Sequence, residues 1–456
     1  MPSSPLRSIG IGVAAVVLLT SLFFLTYSLE RYESLYLLSV YTLAFLAYLT
    51  CVLLVNSSKT VYWLVGVAVL GRLLLLSAEP NLSDDIYRFV WDGRLIQQEV
   101  NPFAYLPSDL VNGKADSLGI EVDPELYTSL NSPDYYTIYP PVNQAVFTLA
   151  VKLFPDSLAR STIVIRSILL LAELGTIWLL FQLASLYGIA RKQVLWYALN
   201  PLVILEMTGN LHFEALMIFF LLASVYLYEK KRWIGAAILF ALAICTKLLP
   251  LMLLPLYFRR FGWRTALSFY AVVGLSTLVL FLPLISWELI EGLQGSVGLY
   301  FQKFEFNASI YYLVREIGYY VKGYNIIQSA GRWLAFSAFL LIIGYSVLER
   351  KPRILDAFGW VWLIYLLLAL IIHPWYVLPL LAFTVLTPYR YSVLWTCLIF
   401  FTYAGYTASG FQENLWLVTI EYVVVLGWLG YELYQHRHNH PSVIAGKLEL
   451  RKLINK

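Results

Sequence analysis

Apolar residues run through this chain in long stretches broken by short polar or charged segments. A window of about 19 residues finds candidate spans at 8–28, 35–55, 61–78, 162–186, 194–209, 213–229, 234–258, 265–285, 326–347, 354–372, 375–388, 391–408 and 415–433. Most of these runs are too long for strands and too uniformly apolar for helices with a wet face. They predict an all-α polytopic transmembrane helical bundle of about 13 spans. The apolar stretch 141–154 is too short to cross comfortably and is expected to lie as an interfacial or juxtamembrane helix, over 141–155. The stretch 234–258 carries basic residues at both ends. It is expected to dip in and return as a re-entrant hairpin that breaks near Lys247-Leu248-Leu249-Pro250.

Lysine and arginine clusters orient these elements. They fall at Arg191-Lys192, at Lys230-Lys231-Arg232, at Arg259-Arg260 with Arg264, at Arg350-Lys351 with Arg353, and in the tail from His436 to Lys456. Placing all of them in the cytoplasm puts the N-terminus inside and leaves Asp84-Asp85 outside, at the head of a long loop. The expected organisation is a single integral membrane domain, 1–456. Within it lie a first large external loop at 79–140, the juxtamembrane helix at 141–155, a C-terminal helical module at 265–433 and a cytoplasmic basic tail at 434–456. The first apolar segment follows Arg7, lacks a small-residue cleavage site and is read as a retained helix.

Composition agrees with this picture and narrows the function. Hydrophobic residues make up 60% of the 456 and charged residues 13%, with a mean hydropathy of +0.70. The net charge of +4 sits mostly in short loops, so it reads as topology signal and implies no nucleic-acid partner. Cys51, Cys245 and Cys397 lie inside separate apolar runs without paired spacing, which argues against a disulfide framework or a thiolate metal site.

The chemistry concentrates in Ser83-Asp84-Asp85-Ile86-Tyr87-Arg88-Phe89-Val90-Trp91-Asp92-Gly93-Arg94, directly after the span 61–78. Three carboxylates and two guanidiniums against a membrane helix are costly unless they do chemistry. Ser83 and Asp84 are good N-caps for a helix starting near Ile86, so one aspartate is expected to cap and the other to act. The rest of the loop mixes acids with aromatics, including Asn101, Tyr139 and the Tyr-Pro-Pro run, as a sugar-binding surface does: rings stack on pyranose faces and carboxylates accept hydroxyl hydrogen bonds. An interfacial aromatic belt accounts for many single aromatics equally well. A second constellation holds Asn200-Pro201, Glu206, Gly209-Asn210, His212 and Glu214, with His373 and Trp375 at another external helix junction. His212 and Glu214 are two apart and share no helical face, which weakens a metal site of the i, i+4 type.

The order of "SDDIYRFVWDGRLIQQEVNPF", "IYPPVNQAVF", "ARKQVLWYALNPLVILEMTGNLHFEALM", "KLLP" and "HPWYVLPLLA" resembles the GT-C superfamily of membrane glycosyltransferases. It is most similar to the polyprenyl-phosphate-mannose-dependent mannosyltransferases, including the enzyme of the first mannose in GPI-anchor synthesis. The resemblance implies a GT-C-like bundle, an essential acidic motif at Asp84-Asp85 and juxtamembrane helices after it. It also implies a polyprenyl-phosphate sugar donor, a lipid- or glycan-linked acceptor and a site facing the outside or periplasm, here of a bacterial inner membrane. The chain departs from the pattern in its extra spans before the acidic loop and in its adjacent aspartates. The second departure leaves the use of a divalent metal open, and no cofactor is otherwise implied.

Transfer from a lipid phosphosugar needs a base, a holder for the leaving phosphate and a dry pocket. Asp85 or Asp84 is the expected base. A single carboxylate with no second acting as nucleophile implies inversion. Lys247 is the expected phosphate ligand, with Arg88 or Arg94 as alternatives. Tyr87, Trp91, Asp92, Asn101, Tyr139, Asn210, His212, Glu214, His373 and Trp375 are the candidate sugar or acceptor contacts. The alternative function is a transporter or flippase of a polyprenyl-linked sugar, for which matching broken segments in the two halves are missing.

Overall fold

The computed structural model describes residues 5–289, 304–350 and 353–439. Expectations for Lys351 and for the tail beyond Asn439 lie outside the described residues. The architecture is an all-α polytopic bundle, with one two-residue-strand hairpin, Tyr406–Thr407 against Gly410–Phe411. Among the described residues, six helices are long and apolar enough to cross a membrane: Pro5–Tyr27, Ser34–Leu54, Leu158–Leu186, Trp263–Leu284, Ile327–Leu348 and Leu415–His438.

The remaining expected spans are shorter or broken, and the breaks have local causes. Ser58–Leu74 is a 17-residue helix. The stretch 194–209 is a string of short pieces, because Pro201 opens a new helical turn and Asn200 caps it by accepting from the Leu202 and Val203 amides. A π-helical segment, Ile204–Gly209, follows, and Pro201–Gly209 as a whole is bent by 111° against Glu214–Glu229. The apolar run 234–258 resolves into Trp233–Ile244, a 3₁₀ turn Leu249–Leu253 and Pro255–Phe261, so the expected break near Lys247 and Pro250 is present. The segments 375–388 and 391–408 each pair a short α-helix with a 3₁₀ turn. The last helix continues to Asn439, so the tail expected from residue 434 begins as helix.

The loop after Leu74 folds against the bundle. Its helix Asp85–Gln97 packs along Pro141–Leu153, the expected juxtamembrane element. Gly93 makes this approach feasible: a Cβ there would lie 2.8 Å from the Phe147 carbonyl oxygen. Phe89 stacks on Phe147 with centroids 4.5 Å apart, and Phe213 meets both rings edge-on, joining the loop helix to the start of Glu214–Glu229. A helix that was not expected, Ile310–Lys322, follows Phe306, which pairs with Ile371 in an isolated parallel bridge.

The interior also carries charge, and it is compensated. Arg72 pairs with Glu173 at 2.9 Å, both side chains fully buried, and Tyr197 donates to the other Glu173 oxygen at 2.6 Å. Arg166 has no carboxylate partner among the described residues; it donates to the carbonyls of Leu76, Thr208 and Gly209. It thereby satisfies free carbonyls at the end of the π segment and ties them to the chain that leads into the acidic motif.

Candidate active site

The helix Asp85–Gln97 begins at the second aspartate, and the pair divides. Asp84 occupies the N-cap position but its side chain makes no capping bond, which corrects the expectation that an aspartate caps. It pairs instead with Arg31 at 3.0 Å, while Ser83 Oγ accepts the Asp85 amide. The Asp85 carboxylate accepts from Asn131 at 3.3 Å and faces a cavity of about 380 Å³.

That cavity is built by three parts of the chain. Asp85 and Arg88 come from the helix, the segment Asn131 to Tyr139 supplies one wall, and Phe304 to Phe306 with Ile371 and His373 closes the other. Phe304-Glu305-Phe306 is therefore a wall of the cavity, held by Glu305 to Arg315 and, next along the chain, by the Asn307 amide to Glu413. His373 sits on the short connection before the 3₁₀ turn Pro374–Val377. Desolvation first, then the nearby His212 and Lys247, push its imidazole down to about 3, with Asp85 opposing. His373 is therefore a neutral hydrogen-bonding group at working pH.

Behind His373, Trp375 lies between two imidazoles, with centroids 4.4 Å from His373 and 3.6 Å from His212. His212 Nε2 approaches Glu206 at 3.2 Å; Glu206 also accepts from Asn210 and Tyr403. The Asn210 oxygen accepts the Leu82 amide at 3.2 Å, so the elbow of the bent helix pair is stapled to the residue before Ser83. Lys247 lies over the Tyr139 ring at 5.9 Å and pairs with Glu214 at 3.1 Å. Beyond that ion pair the buried Glu214 side chain has no hydrogen-bond partner among the described residues, and the Asn143 side chain on the juxtamembrane helix has none either. The Val142 amide donates to the Cys245 carbonyl and fixes that helix beside the Lys247 break.

The structure thus gathers Asp85, Arg88, Tyr139 and His373 around one cavity, with Trp375, His212 and Asn210 behind one wall and Lys247 with Glu214 behind another. Four expected contacts lie elsewhere. Asp92 is buried and saturated by Arg88 at 2.8 Å, by Thr137 and by Gln144. Arg94 points to Asp123 and the Pro155 carbonyl, at the far side of the loop. Trp91 is buried against Tyr127. Asn101 ties its loop to Leu284 and Ser286. Tyr87 and Asp84 line a second cavity, of about 780 Å³. Arg31, Asn131 and Asn143 were not singled out by the sequence, whereas Glu206 belongs to the constellation around His212. Arg31 carried a usable signal: it is a cation in the short turn on the side assigned to the outside, where the positive-inside bias predicts few. Among the described residues no three His, Cys, Asp or Glu side chains converge as metal ligands would.

A helical bundle of this kind, with Asp85 and Glu305 at an aromatic cavity and cations close by, defines a class, the polytopic integral membrane proteins. The chain belongs to the MptA_B family: residues 8–260 match its model, described as alpha-(1->6)-mannopyranosyltransferase, N-terminal domain. It is 27% identical over 231 residues to alpha-(1->6)-mannopyranosyltransferase A of Mycobacterium tuberculosis, covering 49% of this chain and 41% of that protein. With the protein of the same name from Corynebacterium glutamicum it shares 23% over 182 residues, covering 40% and 35%. The matched region is thus less than half the length of either relative. The acidic loop, the elbow at Asn210 to His212 and the Lys247 break all fall within the family match.

Proposed function

We propose that the protein is an inverting mannosyltransferase that takes mannose from a polyprenyl-phosphate donor and places it on a hydroxyl of a glycan or lipid acceptor. The site faces the external side of a bacterial inner membrane. The names of the relatives support mannose as the sugar and the primary 6-hydroxyl of a mannoside as the acceptor group. The observation that carries the reading is Asp85, half-exposed at the wall of an aromatic cavity, whose side chain is held among the described residues by one long contact from Asn131.

In this mechanism Asp85 takes the acceptor proton as the acceptor oxygen attacks the anomeric carbon. The new C–O bond forms on the face opposite the phosphate, whose oxygen leaves with the bonding electrons. A β-linked donor gives an α product, in keeping with the relatives' names. Lys247 suits the leaving phosphate better than Arg88, because 20% of its side chain is exposed against 4% and Arg88 is already held by Asp92 and two carbonyls. Donor phosphate would take over Lys247 from Glu214. The aromatic walls keep water low, which favours transfer over hydrolysis.

The test is transfer of radiolabelled mannose from a synthetic polyprenyl-phosphate-mannose to a mannoside by purified protein. Label should appear as an α-mannoside with wild type and fall to background with Asp85→Asn. Donor movement across the bilayer without transfer would instead establish the transporter alternative.

A further inference from the structure

Consecutive residues at the start of a helix project about 100° apart, and here that rotation sends the paired aspartates into different cavities. Asp85 faces the aromatic one. Asp84 faces the second, of about 780 Å³, between the turn after Pro5–Tyr27, the chain before the acidic helix and the Tyr406 hairpin. Arg31 organises it: its guanidinium pairs with Asp84 at 3.0 Å, lies 4.7 Å over the Tyr406 ring and reaches the Leu82 carbonyl. Phe411 lines both cavities, so the two meet at one ring beside the aspartate pair.

We infer that this second cavity is the acceptor site and that it takes a neutral oligosaccharide, a deepening that rests on the transferase reading above. Its charged lining decides the ligand class. Glu30, Glu79 and Asp84 stand against the single cation Arg31, so a phosphate-bearing headgroup or sugar nucleotide meets net repulsion. A neutral glycan offers hydroxyl donors to those carboxylates and an apolar pyranose face to the exposed Phe411 ring. The first cavity is lined by Asp85, Glu305 and Arg88, but there Glu305 is paired with Arg315 and a second cation, Lys247, lies over the Tyr139 wall, so more positive charge stands close by for a phosphosugar. An acceptor seated along Arg31 and Asp84 needs to pass only the Phe411 ring to bring its terminal hydroxyl to Asp85.

The test uses the full chain in nanodiscs and an α-1,6-linked mannotriose as probe, read by saturation-transfer NMR and by steady-state kinetics. Arg31→Ala and, independently, Thr407→Trp, which fills the cavity from an exposed strand position, should each weaken mannotriose binding about tenfold or more. Arg31→Lys should retain part of the affinity. In turnover, the acceptor KM should rise with the binding constant while the donor KM does not follow. Wild-type binding in both Arg31→Ala and Thr407→Trp, in protein that elutes as a single peak, overturns the inference. If binding follows the expectation but wild type transfers no mannose, the glycan site stands and the transferase reading fails.

Discussion

Asp84 and Asp85 are chemically identical, and their surroundings separate them. Asp84 is tied to Arg31 in an exposed pair, worth about 0–1 kcal/mol to stability, so its carboxylate is engaged before any substrate arrives. Asp85 has a long contact from one asparagine amide. Asp85→Asn should therefore lose about 100-fold or more in kcat at unchanged melting temperature, whereas Asp84→Asn should act mainly on the acceptor KM. Reversed kinetics in the two variants would move the base to Asp84. The sequence made the pair conspicuous but could not rank its members, because rank depends on Arg31 and Asn131, 53 and 46 residues away. For Asp92 the answer was local: Arg88 and Asp92 stand one helical turn apart, the spacing at which such groups neutralise each other. Arg94 drew attention through composition alone, and its partner Asp123 lies in a loop with no periodicity to align it.

At the scale of elements, the site depends on how closely Asp85–Gln97 lies along Pro141–Leu153. Gly93→Ala would place a methyl group against the backbone of Phe147, where no side-chain rotation relieves the contact. Destabilisation of about 1–3 kcal/mol is expected by thermal unfolding in detergent, together with reduced transfer, since the shift carries the Asp85 end of the helix. A melting temperature within error of wild type would show that the two helices can slide apart without cost. Apolar length and the Lys-x-x-Pro signal made the juxtamembrane helix and the break at Lys247 legible. The elbow after Gly209 was not, because residues 194–209 and 213–229 are equally apolar and hydropathy alone does not report a bend. Nor was the hairpin at Tyr406–Phe411, whose short strands sit at the end of an apolar run. Expected spans shorter than the bilayer arose the same way: a hydropathy window counts apolar residues and ignores the turns that interrupt them.

Across the whole molecule, the orientation can be tested through positions exposed in the structure. Cysteines introduced at Glu79 and Lys231 should react with a membrane-impermeant maleimide from opposite sides, Glu79 from outside; labelling of both from one side would reverse the placement of the acidic loop. The fully buried Arg72–Glu173 pair adds a requirement on how the protein is made. Its members are 101 residues apart, on helices synthesised at different times. A lone arginine or glutamate in lipid costs several kcal/mol, so the early helix cannot be released into the bilayer as a finished unit. Ser58–Leu74 is therefore expected to reach its final environment only once Leu158–Leu186 supplies the counter-ion, and Glu173→Gln should lower the amount of folded protein recovered from membranes. On that expectation the chain between the two helices, residues 75–157, gains its anchoring at both ends together, when the two charges meet.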